Sequence, residues 1–146
     1  MIYIGIDPGT SGALAMISES RAAKVIPWSP EAYRDALAGV SLANEYAVAC
    51  LEKVGAMPGQ GVTGMFNFGK NYGHIIGLLE ANGIPYELVH PRKWQKEFSV
   101  TDKNSSLEIC KRLFPLISLK RNKKCKKDDN GMSDALLMAE YARRHL

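Results

Sequence analysis

The sequence contains no apolar run long enough to span a membrane and no internal repeat. Residues 1–9 (MIYIGIDPG) read directly as a strand followed by a turn, so we expect no signal peptide. These absences predict a soluble chain with no membrane partner. We expect it in the cytoplasm of a bacterial or phage-infected cell, where it could associate with the nucleoid.

Cysteine and histidine are scarce and show no metal-ligand spacing. The three cysteines, Cys50, Cys110 and Cys125, are odd in number, which indicates reduced thiols in a reducing compartment. His74 and His90 follow no ligand pattern either, and we interpret both as structural or surface residues.

Acidic residues are absent from residues 111–127, although that stretch holds eight basic ones. The 146-residue chain carries a formal net charge of +4, with 46% apolar and 23% charged residues. These are ordinary values for one globular domain spanning residues 1–146. The basic excess favours a polyanionic partner.

The pattern of apolar runs and turn residues predicts a mixed α/β arrangement with a central sheet of about five strands flanked by helices. Strands are expected at 2–6, 12–17, 22–27, 46–51 and 84–89. Helices are expected at 30–38, 65–82, from Asp102 or Asn104 to about 114, and at 131–144, with a short helical or irregular piece after Pro91.

Three acidic residues break the local apolar pattern. Asp7 and Glu52 each directly follow an apolar strand, and Asp134 opens an apolar helix. Taken singly, they would more often be a turn former, a strand-end charge and a helix-dipole partner. Together they can converge at one sheet edge, where a divalent cation would offset their repulsion. All-oxygen ligands favour Mg²⁺, or Mn²⁺ in its place, over Zn²⁺.

Residues 4–12 (IGIDPGTSG) resemble the opening motif of the RuvC family of Holliday-junction resolvases. The segments 51–54 (LEKV) and 127–137, which includes SDALL, are similar to the family's later acidic motifs. Other stretches resemble phage-type members, at 58–61, 65–70, 90–96 and 102–103. The resemblance covers nearly the whole chain in order.

This resemblance implies an RNase H-like fold, a homodimer and hydrolysis of four-way DNA junctions by two Mg²⁺ ions per active site, leaving a 5′-phosphate and a 3′-hydroxyl. Asp7, Glu52 and Asp134 match the family's acids. The position of the fourth acid is occupied by Gly131. We expect Asp129 to supply the missing ligand, with Asp128 as second choice and Asn130 as a neutral oxygen donor.

Lys103 matches a lysine near the scissile phosphate in similar proteins, although a solvated lysine in a capping segment would look the same. Contacts to the DNA backbone are predicted for the remaining basic residues near the acids. These are Lys93, Lys96, Lys120, Arg121, Lys123, Lys124, Lys126 and Lys127.

Aromatic residues divide between core and DNA. Trp94 is expected in the core. Phe68 begins an apolar helical face that continues through Tyr72, Ile75, Ile76 and Leu79. Phe66 lies off that face and is the candidate for a side chain wedged into the junction.

Glycine recurs at Gly69, Gly73 and Gly77 along the same helix, which would let another element approach closely. That element is either the sheet or the same helix of a second subunit, and the resemblance favours the second subunit.

Three alternative functions remain open on the sequence. The same acids would serve a broader nuclease acting on branched DNA, flaps or structured RNA. The turn at 7–12 resembles a phosphate loop of actin-like ATPases, but a second glycine motif and the length for two lobes are lacking, so no nucleotide cofactor is expected. The glycine at 131 keeps open a non-catalytic DNA-binding protein.

Overall fold

The computed structural model describes all residues, 1–146, and contains one five-stranded mixed sheet in the order β3-β2-β1-β4-β5. The strands are β1 (Ile2–Asp7), β2 (Ala13–Ser18), β3 (Ala23–Pro27), β4 (Ala47–Glu52) and β5 (Tyr86–Val89). β1, β2 and β3 pair antiparallel, whereas β1, β4 and β5 run parallel. The predicted α/β class and strand number are confirmed.

Five helices cover the sheet: α1 (Pro30–Leu42), α2 (Val62–Ala81), α3 (Pro91–Glu97), α4 (Lys103–Leu113) and α5 (Asn130–His145). Ser29 caps α1 and Asp102 caps α4, the latter in a reciprocal capping box with Ser105. α1 runs past its expected end near residue 38, because Val40 still packs in the core. No helix has both the length and the apolar character needed to cross a membrane.

The two faces of the sheet bury different layers, and strand alternation decides which side chain meets which layer. Ile4 and Ile6 on β1 pack with residues of α1 and α2. Gly5, between them, faces α5, where an added Cβ would overlap the backbone of Ala135 and Ala139. The absence of a side chain at Gly5 therefore allows α5 to lie directly on the central strand.

The C-terminal end of α5 is held by a buried carboxylate. Glu140 has no exposed surface and pairs with Arg143 at 2.7 Å, Arg144 at 3.0 Å and Arg21 at 3.7 Å. These arginines lower its pKa against the effect of burial. The cluster fixes the end of α5 that is remote from the sheet edge where Asp7 lies.

Candidate active site

Two of the predicted acids sit at the carboxyl ends of neighbouring parallel strands. Ile6 of β1 pairs in register with Leu51 of β4, so Asp7 and Glu52 are the next residues on each strand. Alternation turns both side chains toward the α5 face, which Gly5 also faces. Their strands are hydrogen-bonded neighbours, and such strands lie roughly 5 Å apart.

The third acid reaches the same edge from the first turns of α5. Asp134 accepts a hydrogen bond from the buried Ser106 hydroxyl of α4, with Ser106 Oγ 2.5 Å from Asp134 Oδ1. The side-chain amide of Asn130 lies 3.4 Å from the same oxygen. Lys103 lies close enough that its charge lowers the pKa of Asp134. Asp134 therefore lies near enough to Asp7 and Glu52 for their charges to influence one another.

Glu52 is fixed from both sides of its strand. The Trp94 ring of α3 is almost fully buried, as expected for a core residue, and its Nε1 donates to Glu52 Oε2 at 2.9 Å. The Tyr72 hydroxyl of α2 donates to the Glu52 carbonyl oxygen at 3.1 Å. Glu52 therefore keeps one side-chain oxygen, Oε1, without a protein donor.

Burial and mutual repulsion make this cluster electrostatically unfavourable. Desolvation first, then the charges of Glu52 and Asp134, raise the pKa of Asp7 to about 8. Burial also raises the pKa of Glu52, and it raises that of Asp134 to about 6 against the Ser106 hydrogen bond. As they stand, no three acidic, histidine or cysteine side chains are gathered closely enough to coordinate one ion. The carboxylates share one environment without forming a closed coordination shell.

Asp129, expected as the fourth metal ligand, has other partners. Its side chain caps α5 by accepting from Met132 N at 3.2 Å, and it pairs with Arg121 at 2.7 Å. Arg121 also donates to the carbonyl oxygens of Ser11 and Gly12. Both oxygens of Asp129 are used in this geometry, which gives it a capping role instead of leaving it free for a metal ion.

The other two choices for the fourth ligand differ in position. Asp128 forms an ion pair with Lys111, which draws it toward α4. Asn130 lies beside Asp134, and its amide also approaches the Lys103 carbonyl oxygen at 3.4 Å. Of the three, Asn130 is the residue in hydrogen-bond contact with one of the clustered acids.

A cleft of about 250 Å³ opens directly onto Asp134. Its wall includes Lys103, Ser106, Asn130 and Trp94, which are the residues that touch or influence the acids. The exposed Lys103 at the start of α4 thus faces the same space as Asp134.

The predicted DNA-contacting lysines are all exposed. They are Lys93 and Lys96 on α3 and Lys120, Lys123, Lys124, Lys126 and Lys127 in the segment before α5. Arg121 differs, because its guanidinium is satisfied inside the protein by Asp129, Ser11 and Gly12. We therefore assign Arg121 a structural role and leave it out of the DNA contacts.

The two phenylalanines of α2 separate as follows. Phe66 is 71% exposed and makes no part of the core. Phe68, expected in the core, is only half-buried and packs over Gly9 instead, where an added Cβ would lie 3.3 Å from its ring. The Phe68 side chain packs on the turn that follows Asp7 and not in the core. The core face of α2 begins one helical turn later, at Tyr72.

Sequence reasoning missed Ser106 and Asn130 as partners of Asp134, and it assigned Trp94 to the core without its bond to Glu52. A serine within a helix gives no signal of its partner. The tryptophan carried a weak one, since a buried indole N–H needs an acceptor, but nothing in the sequence selects Glu52.

No protein-family model and no curated protein sequence matches the chain. Solved structures do. Thermus thermophilus RuvC in complex with a Holliday junction substrate is 16% identical, with a TM-score of 0.63 over 99% of this chain and 97% of that one. A second Thermus thermophilus RuvC structure gives 0.60 at 16% identity, over 99% and 96%. The yeast mitochondrial Holliday junction resolvase Ydc2 gives 0.54 at 16% identity, over 97% and 77%. The chain has the fold of these resolvases, as its motifs predicted.

Proposed function

We propose that this protein is a metal-dependent endonuclease that resolves four-way DNA junctions. The observation that carries the proposal is the cluster of Asp7, Glu52 and Asp134, three half-buried acids whose pKa values are all raised. A site of this kind, on a fold shared with a RuvC structure bound to a Holliday junction, suits phosphodiester hydrolysis.

The donor set fits a hard divalent cation. Asp7, Glu52 and Asp134 offer only carboxylate oxygens, which Mg²⁺ and Mn²⁺ prefer. We expect these residues to hold two ions, with Asn130 or a released Asp129 as the added donor. Such ions activate water and stabilise the leaving oxygen in phosphodiester cleavage. Ligand carboxylates must lose their protons, so binding should be weaker below the pKa of Asp7.

The chain's own residues orient the acids and the phosphate. Trp94 holds one oxygen of Glu52, and Ser106 holds one oxygen of Asp134, so each acid keeps its other oxygen for the site. Lys103 faces the cleft at Asp134, where its ammonium would stabilise negative charge developing on the scissile phosphate.

Branched DNA would contact the exposed lysines on either side of the acids. Lysines on α3 and in the segment before α5 contribute salt-dependent affinity without reading sequence. The exposed Phe66 at the start of α2 is suited to stack in the opened centre of a junction. A fluorescent base analogue at the branch point would report such stacking.

A homodimer would match the two-fold symmetry of a four-way junction. The support is the exposed face of α2, where Gly69, Gly73 and Gly77 have no neighbours that an added Cβ would meet. Beside them Phe66 and Val62 are 71% and 87% exposed. Sedimentation of the purified chain would give its mass directly.

The function is tested by a panel of end-labelled substrates in Mg²⁺: a four-way junction, a fork, a flap, a structured RNA and linear duplex. We expect the junction to be bound and cut in preference, at symmetric positions. Equal cutting of forks and flaps would instead favour the broader nuclease. Failure to cut any branched DNA would refute the proposed function.

The first prediction concerns the hydrogen bond from Trp94 to Glu52. Trp94→Phe keeps a buried ring but removes the N–H donor, so the unbound Glu52 oxygen is free to rotate away from the site. We expect the Mg²⁺ concentration for half-maximal cutting to rise roughly 10- to 100-fold, the usual cost of losing a residue that orients a metal ligand.

Tyr86→Phe is the matched control for this change, because it removes a hydrogen bond from an aromatic ring to Glu80, a carboxylate outside the site. Its Mg²⁺ requirement should equal that of the wild type. If Trp94→Phe and Tyr86→Phe shift the requirement equally, Trp94 does not orient a ligand.

The second prediction concerns the pH dependence of stability without metal. The folded pKa of Asp7, about 8, exceeds its ordinary value of 3.8. Its contribution to stability is therefore fully present below about pH 4 and is lost as the pH rises through 8. At pH 8 we expect metal-free Asp7→Asn to melt at least about 5 °C above the wild type, and at pH 4 the two should melt together.

Adding Mg²⁺ or Mn²⁺ at pH 8 should reverse that order, because a ligand that binds only the folded state stabilises it. Thermal melts of both proteins across pH and metal concentration measure both effects. Asp7 would lie outside the cluster if the two proteins melted alike at pH 8.

A further inference from the structure

A cavity of about 670 Å³ lies on the face of the sheet that α1 and α2 cover, opposite the α5 face toward which Asp7 and Glu52 point. We call it the α2 cleft. It is formed by the turn after β1, the start of α1 and the first half of α2, and its wall includes Gly9, Trp28, Phe68, Lys70, Asn71 and His74. Gly9 and Thr10, which line the cleft, belong to the turn that directly follows Asp7.

Three aromatic side chains line this cleft. The Trp28 and His74 rings meet edge to face, with centroids 6.0 Å apart. Phe68 covers Gly9. None of the three is fully buried, so their rings are available to a flat ligand. Aromatic walls of this kind stack on nucleobases whatever the base.

The protein leaves just two buried side-chain polar atoms without a hydrogen-bond partner, and one of them belongs to a residue of this cleft. Asn71 lines its wall, and the Oδ1 of Asn71 has almost no accessible surface. The other, the Tyr33 hydroxyl, is not part of the wall, although the Tyr33 ring packs edge-on against Trp28 at 4.8 Å. Folded proteins satisfy nearly all buried polar groups, so such an exception calls for a partner. Once the Asn71 side chain turns toward the cleft, an exocyclic amino group of a base would supply the donor that its oxygen lacks.

Charge at the rim agrees with this ligand. Lys70 lines the cleft and is exposed, whereas no acidic side chain lines it. A nucleotide with its base between the aromatic rings could thus leave its phosphate near the ammonium. The volume is within the range that holds a small ligand.

We propose that the α2 cleft receives one unpaired nucleotide of the bound DNA strand, and that Asn71 selects a base bearing an amino group. The inference rests on the proposed function, because the nucleotide belongs to the branched DNA that the acids cut. The strand would pass over the turn at residues 8–12, which joins the two sites. Asn71 would then bias which nucleotide lies beside the cut.

The test is a set of four-way junctions that carry one abasic site at successive positions around the cut, bound in EDTA so that no cutting occurs. Wild type and Asn71→Leu are compared on each. Removing the amide should weaken binding of intact junction roughly five- to tenfold, the size expected for one lost hydrogen bond. On the junction that lacks the received base, Asn71→Leu should cause no further loss.

Asn71→Leu removes an unpartnered polar atom, so it should melt no lower than the wild type, which separates folding from binding. A 2-aminopurine at the same position should be quenched by the wild type and regain fluorescence in Trp28→Leu. Equal affinities of Asn71→Leu and wild type on every junction would overturn the inference, and so would additive losses at all positions. Micromolar binding of free ATP without any positional effect would also overturn it.

Failure of this inference is distinct from failure of the proposed function. If junctions are cut in Mg²⁺ but Asn71→Leu shows no positional effect, nucleotide binding in the α2 cleft is rejected and the proposed nuclease activity stands. If Asn71→Leu shows a positional effect in EDTA but no junction is cut in Mg²⁺, the nuclease activity is rejected and nucleotide binding in the α2 cleft stands.

Discussion

Asp7→Asn should abolish junction cutting, by on the order of 1,000-fold or more, while leaving junction binding nearly unchanged. The amide keeps the shape of the side chain but lacks the charge that would hold a cation at the end of β1. Metal ions contribute several kcal/mol of transition-state stabilisation in such sites, and each 1.36 kcal/mol is tenfold in rate. Single-turnover cutting and gel-shift binding on one junction measure the two quantities.

Asp35→Asn provides the matched control. Asp35 lies on the exposed face of α1, where its carboxylate pairs only with Arg34 at the surface, and an exposed pair of this kind contributes little. Its cutting rate should equal that of the wild type. If Asp7→Asn retained more than about a tenth of the wild-type rate, the substitution would have raised the activation free energy by less than roughly 1.4 kcal/mol. Asp7 would then not hold a catalytic cation.

Gly5→Ala should destabilise the protein by about 3 kcal/mol or more, the upper range for overpacking a core. A methyl group at Gly5 overlaps the backbone of α5 at Ala135 and Ala139, and backbone cannot rotate away as a side chain can. α5 must then move off β1, which separates Asp134 from Asp7. Urea unfolding gives the stability change, and cutting should fall beyond the loss of folded protein.

Gly39→Ala is the companion variant, because Gly39 lies within α1 with no atom near the added Cβ. Alanine there should increase stability by about 0.5–1 kcal/mol through helix propensity alone. If Gly5→Ala lowers stability while Gly39→Ala raises it, the loss at Gly5 comes from the close approach of α5 to β1. A Gly5→Ala protein as stable as the wild type would show that α5 does not lie on β1.

The acids at the strand ends were predictable because strand alternation and register act over short distances. Asp7 and Glu52 each follow an apolar run, and the run alone places them at the same end of parallel strands. Ser106 was not predictable, since its partner lies 28 residues away and only the packing of α4 on α5 brings them together.

The capping role of Asp129 could have been predicted from the sequence. Aspartate is among the preferred residues at a helix N-cap, and α5 starts at Asn130. That signal was present in the sequence, but Gly131 at the position of the family's fourth acid favoured a metal-binding role for Asp129 instead. Phe68 was also misassigned, because helical periodicity identifies a face and does not say where along the helix the core begins.

Arg121 joins three parts of the chain through one guanidinium: the turn after Asp7, the N-cap of α5 and the lysine-rich segment itself. A displacement of residues 120–127 would therefore move the turn that follows Asp7 and the start of the helix that carries Asp134. Under the proposed function, DNA bound by the lysines of this segment would act through Arg121 on the backbone beside both acids.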